Sequence, residues 1–136
     1  MSEATNFKIL IADDEPMLRK SMSVRISHDG FEVLQAENGK VGFESAKENL
    51  PQVIVTDLMM PVMNGAELLA RLKGDATTAH IPVIILSNVD NEESFNQLTG
   101  NMVSLNGTKI VSKADLKLDE LVHLINQALA LFSNYK

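Results

Sequence analysis

No cysteine occurs anywhere in the chain, which rules out disulfides, thiol catalysis and cysteine-based zinc sites. The three histidines, His28, His80 and His123, are scattered and form no metal-ligand pattern. No apolar stretch approaches the roughly 18 residues that a membrane span requires. The N-terminal Met-Ser-Glu-Ala-Thr-Asn has neither the cationic start nor the apolar stretch of a secretory signal. The expectation is a cytoplasmic protein with no membrane attachment. Basic runs are missing as well: 12 Lys and Arg stand against 18 Asp and Glu, for a formal net charge of -6. Displacing counterions from a nucleic acid takes a stripe of Lys and Arg, so direct nucleic-acid binding is not expected and proteins are the expected partners.

What is present is a chain of 136 residues, 45% of them apolar, enough to bury a core in one domain without staples. The expectation is a single domain over residues 1–136, with a folded core from about 6 to 133 and no output domain. Its centre is the run from Val53 to Gly65, Val-Ile-Val-Thr-Asp-Leu-Met-Met-Pro-Val-Met-Asn-Gly. Four β-favouring residues read as a strand covered on both faces, and Asp57 ends it. Pro61 turns Met60 away from helix, and Asn64-Gly65 starts a helix through Leu68, Leu69 and Leu72.

The rest of the chain repeats that alternation. Phe7–Ala12 is a strand that stops at Asp13-Asp14-Glu15-Pro16, and Pro16 suits a first helical turn. Leu18, Met22 and Ile26 then mark a helix that leaves Arg19, Lys20 and Arg25 outside. Phe31–Ala36 reads as a half-buried edge strand, followed by a helix with Val41, Phe43, Ala46 and Leu50 on its apolar face. Ile81–Leu86 is a fourth strand, ending at Ser87 and Asn88. Asn91–Leu98 has helical character, Thr108–Ser112 is a short fifth strand, and Lys113 stands at its end. Leu118, Leu121, Val122, Ile125, Leu129 and Phe132 form the last amphipathic stripe. Five strands alternating with five helices predict a doubly wound α/β fold with a parallel sheet. In such a sheet Asp13, Asp14, Asp57, Ser87 and Lys113 all fall on the rim at the strands' C-terminal ends, where α/β folds bind ligands.

Three carboxylates on one rim repel one another unless a cation neutralises them, and oxygen ligands with open positions suit Mg²⁺. Such an ion can take a phosphate oxygen. Asp57 can then act as a nucleophile in phosphoryl transfer, with Lys113 as a mobile positive charge and Ser87 as a hydrogen-bond donor to the attached group. Taken singly, each residue has a plainer role: Asp13 and Asp14 as helix caps, Asp57 as a turn residue, Ser87 as a cap and Lys113 as a surface charge. Their shared placement favours the site.

The residues Asp13-Asp14-Glu15-Pro16, Asp57 with Leu-Met-Met-Pro-Val-Met-Asn-Gly after it, Ile81-Pro-Val-Ile-Ile-Leu-Ser87 and Lys113 resemble the receiver domain of two-component response regulators, particularly single-domain, CheY-like members. The resemblance implies a flavodoxin-like sheet in the order 2-1-3-4-5. It also implies that Asp57 accepts a phosphoryl group from a histidine kinase or phosphotransfer protein. Mg²⁺ would sit on Asp13, Asp14, Asp57 and the Met59 carbonyl, and Ser87 and Lys113 would contact the phosphoryl oxygens. The implied protein is a phosphoacceptor with Mg²⁺-dependent self-phosphorylation and self-dephosphorylation, and not otherwise an enzyme. It would signal to a downstream protein as a monomer or weak dimer through residues 88–131. Two positions depart from the family's usual pattern: Ala114 replaces the proline after the lysine, for which a trans peptide is expected, and Ile110 replaces an aromatic residue. They motivate an alternative, a degenerate receiver that binds its partner without phosphorylation. An aspartate-nucleophile phosphohydrolase would carry a second Asp where Met59 stands, and a dinucleotide-binding domain would have a glycine-rich turn in place of Asp13 and Asp14.

Overall fold

The computed structural model describes residues 7–88, 107–114 and 116–134. In chain order these form β1 (Lys8–Ala12), α1 (Pro16–His28), β2 (Glu32–Ala36), α2 (Gly39–Asn49), β3 (Val53–Asp57), α3 (Gly65–Lys73), β4 (Val83–Ser87), β5 (Thr108–Ser112) and α4 (Leu118–Asn134). The five strands make one sheet in the order β2-β1-β3-β4-β5, with every pairing parallel. This is the expected flavodoxin-like doubly wound arrangement, with β2 on an edge. Four helices lie among the described residues; the one expected near Asn91–Leu98 falls outside them.

Successive strand residues point to opposite faces, so the sheet is the middle layer between two cores. Leu10, Ile54, Val83 and Ile85 pack with Leu68, Leu69 and Leu72 of α3 and Ala46 of α2. Ile9, Ile11, Val53, Val55, Ile84 and Leu86 pack on the other side with Met22 and Ile26 of α1 and Leu121, Val122, Ile125 and Leu129 of α4. All of β1 after Lys8, all of β3 and all of β4 are buried, which is why their sequences are nearly unbroken apolar runs. Leu124 is half-buried against the second core.

The apolar face expected for α2 is corrected. Val41 and Leu50 are exposed, at 38% and 48%. The buried positions of that helix are Gly39, Gly42 and Ala46, with Phe43 packed beside them. Small residues let the helix lie close to the sheet: a Cβ on Gly42 would already touch Leu68, Ala12 and Ala36. Leu50 is the helix's C-cap in the left-handed region, so its side chain leaves the helical stripe.

Strand register aligns the functional ends. Ala12 pairs with Thr56, Asp57 with Leu86, and Ser87 with Ser112. The residues that follow each of these pairs emerge on one rim.

Candidate functional site

Asp13 is the first residue beyond β1, and it is fully buried. Its N–H donates to the Ala36 carbonyl of β2 at 3.0 Å, and its Oδ1 accepts the Glu15 N–H at 2.8 Å. Glu15, the N-cap of α1, has no side-chain cap bond. Asp13 therefore shapes the turn into the helix and does not serve as an ordinary helix cap. Its Oδ2 is buried without a hydrogen-bond partner among the described residues. Asp14, by contrast, is exposed.

Asp57 ends β3, buried, and the loop behind it folds tightly back. Gly65 donates its N–H to Leu58 O at 2.8 Å, and a Cβ on Gly65 would collide with the Asp57 carbonyl. Met63 N–H bonds back to Pro61 O across Val62, whose φ is 69°. Gly39, at the start of α2, donates to Met63 O at 2.9 Å. Asn64 and Glu67 form a reciprocal capping box at the head of α3. These contacts fix the chain around Asp57 from both sides. The Met59 side chain is exposed on this loop.

Lys113 follows β5 and reaches across the rim. Its Nζ donates to Asp57 Oδ2 at 3.0 Å and Glu15 Oε1 at 2.7 Å, and it lies 3.4 Å from Asp13 Oδ2. Its backbone N–H donates to Ser87 O at 2.9 Å, joining the ends of β4 and β5. Ser87 is buried at that junction. The peptide to Ala114 is trans, as expected. Ile110 is half-buried against the core under α2 and α3.

One carboxylate oxygen each from Asp13, Asp14 and Asp57 lies within 4.8 Å of the other two. Burial raises the pKa of Asp57; the hydrogen bond and charge of Lys113 oppose that, and Asp13 and Asp14 add to it. Burial also raises Asp13, against the Glu15 backbone bond and the charge of Lys113. Burial pulls Lys113 down, but its bonds to Glu15 and Asp57 and the nearby negative charge leave it raised overall and firmly cationic. A compact oxygen-donor set, with one buried oxygen that accepts no hydrogen bond among the described residues, fits a hard divalent cation such as Mg²⁺.

The structure gathers Asp13, Asp14, Asp57 and Lys113 as expected, and places Ser87 at the adjoining strand end. Sequence reasoning missed two participants. Glu15 was read only as part of a helix start, yet it holds the Lys113 ammonium; the available signal was a third acidic residue directly after the pair. Arg19 was placed outside with Lys20 and Arg25, yet its guanidinium is turned to the rim and donates to the Asp13 carbonyl at 2.6 Å. Helical periodicity alone does not reveal so long a side chain reaching back over its helix.

Strand order and this rim define a receiver, and the chain belongs to the response regulator receiver domain family, whose sequence model matches residues 9–126. Among its relatives, Pseudomonas aeruginosa Protein PilH is 39% identical over 62% of this chain and 70% of its own length. A Formosa agariphila protein named Histidine kinase P4 is 40% identical over 65% of this chain but only 6% of the kinase. The Bordetella pertussis regulator BvgA is 31% identical over 94% of this chain and 57% of its own length. Among solved structures, the Francisella response regulator 1452 receiver domain has a TM-score of 0.77 at 29% identity, covering 93% of this chain and 99% of that one. Receiver domains act as phosphoacceptors in two-component signalling, generally with Mg²⁺ in an acidic pocket, and they interact with histidine kinases or phosphotransfer proteins. None of the helices described is long and apolar enough to cross a membrane.

Proposed function

We propose that this chain is a phosphorylation-controlled signalling module in which Asp57 takes a phosphoryl group from the phosphohistidine of a kinase or phosphotransfer protein. The supporting observation is the Lys113 ammonium held between Asp57, Glu15 and Asp13, beside three converging carboxylates. An Asp57 oxygen forms the new O–P bond as the P–N bond breaks, and the electron pair of the broken bond stays on the imidazole nitrogen. Asp13, Asp14, Asp57 and the Met59 carbonyl would hold Mg²⁺, which supplies neutralisation of the charge on carboxylate and phosphoryl oxygens. Lys113 then exchanges its Asp57 contact for a phosphoryl oxygen. Ser87, paired in register with Ser112, donates its hydroxyl to another and draws the β4 end inward. The added charge thus changes the surface offered to a downstream protein.

Incubation with acetyl phosphate and Mg²⁺, followed by intact mass, tests the reading. Wild type is expected to gain one phosphoryl group; Asp57→Asn, or wild type freed of metal, gains none. Absence of an adduct from both acetyl phosphate and a phosphorylated histidine kinase, in protein that binds Mg²⁺, would favour the phosphorylation-independent binding module.

A further inference from the structure

Arg19, on α1, turns its guanidinium back toward the rim. Its Nη1 donates to the Asp13 carbonyl at 2.6 Å, and its Nε donates to Gln35 Oε1 of β2 at 3.1 Å. Both acceptors are neutral, and Arg19 makes no ion pair among the described residues. A cation engaged only with neutral oxygens fixes position more than it balances charge.

What it fixes is the peptide that carries Asp13. That residue is tied through its N–H to Ala36, through its carbonyl to Arg19 and through Oδ1 to Glu15. Only Oδ2, buried beside Lys113, is left without a hydrogen bond among the described residues. Gln35 in turn holds the planar guanidinium by its other edge, anchoring it to β2. A lysine could reach the carbonyl but could not span both acceptors, because its donors radiate from one nitrogen.

We propose that Arg19, braced by Gln35, is a positioning residue for Mg²⁺: it locks the Asp13 peptide so that Oδ2 enters the metal site preplaced. The inference rests on the metal-site reading given above. It has a distinguishing sign. A positive charge near a cation site weakens cation binding, so if Arg19 acted by charge alone its removal would tighten Mg²⁺ binding. If it acts by positioning, removal weakens it, as loss of a group that orients a metal ligand does elsewhere.

Mg²⁺ binding to the full chain, measured by calorimetry at constant ionic strength, separates the two. Arg19→Ala and Arg19→Lys are each expected to weaken the Kd by about tenfold, and Gln35→Leu to weaken it by less. Charge-retaining lysine should fail to rescue. Thermal melts in metal-free buffer establish that each variant is folded; if Arg19→Ala is not, Arg19→Lys and Gln35→Leu decide. An unchanged or tighter Kd in the folded variants overturns the proposal while the metal site stands, provided Asp13→Asn weakens binding. Wild type that binds no Mg²⁺ overturns the metal site and this inference together.

Discussion

Asp57 is held in a position that its own charge opposes. Burial raises its pKa above the ordinary 3.8, so the folded protein holds this proton more tightly than the unfolded chain does. Stability from this group is fully present below the unfolded value and is lost as pH rises through the raised folded value. In metal-free buffer, Asp57→Asn should therefore gain on wild type as pH increases from about 4, and should be the more stable protein at neutral pH. Mg²⁺ should reverse the order: at a hundred times its Kd, a ligand that binds only the folded state adds about 2.7 kcal/mol, and the variant forfeits most of that. Paired chemical denaturation curves with and without Mg²⁺ check both signs. A variant less stable than wild type in metal-free buffer at pH 7 would mean that the bond to Lys113 outweighs burial.

At the level of elements, the connection from β3 to α3 shows what sequence could and could not convey. Pro61, Asn64 and Gly65 announced a turn followed by a helix start, and the capping box is there. Nothing in the sequence marked Val62 as a residue at positive φ, because branched side chains avoid that region and the tight return of Met63 N–H to Pro61 O forces it there. The side chain is 75% exposed, so replacing it loses little packing. Val62→Asn should raise stability by about 1 kcal/mol through relief of backbone strain, while Asn64→Ala should lower it by about 1 kcal/mol through loss of the cap. Thermal melts of the two single variants should move in opposite directions. The face of α2 was misread for a related reason: Gly39 and Gly42 carry no apolar side chain, so a helix that buries its backbone against the sheet leaves a weak stripe in sequence. The reach of Arg19 back to the rim was not legible, because periodicity tracks where a side chain starts and not where a flexible one ends.

Across the whole molecule, the doubly wound class and the placement of the rim were legible in the residue pattern, whereas the order of the sheet came from the family resemblance. Continuous apolar strands demanded cover on both faces, parallel strands demanded crossovers, and four strand ends carrying Asp13, Asp14, Asp57, Ser87 and Lys113 had to meet on one side. Less legible was how the rim is wired: the Glu15 contact to Lys113 and the Arg19 contact to Asp13 depend on side-chain reach across elements far apart in sequence. Those contacts hold Lys113 on carboxylates and tie the Asp13 peptide in place. These contacts support the proposed role of Asp57 as the phosphoryl acceptor. It is tested most directly by locating the modification. After reaction with acetyl phosphate and Mg²⁺, borohydride reduction turns an aspartyl phosphate into homoserine, which peptide mass spectrometry can place in the sequence. Homoserine is expected at position 57 and at no other aspartate; reduction at Asp13 or Asp14, or phosphate found only on a hydroxyl residue, would contradict that role.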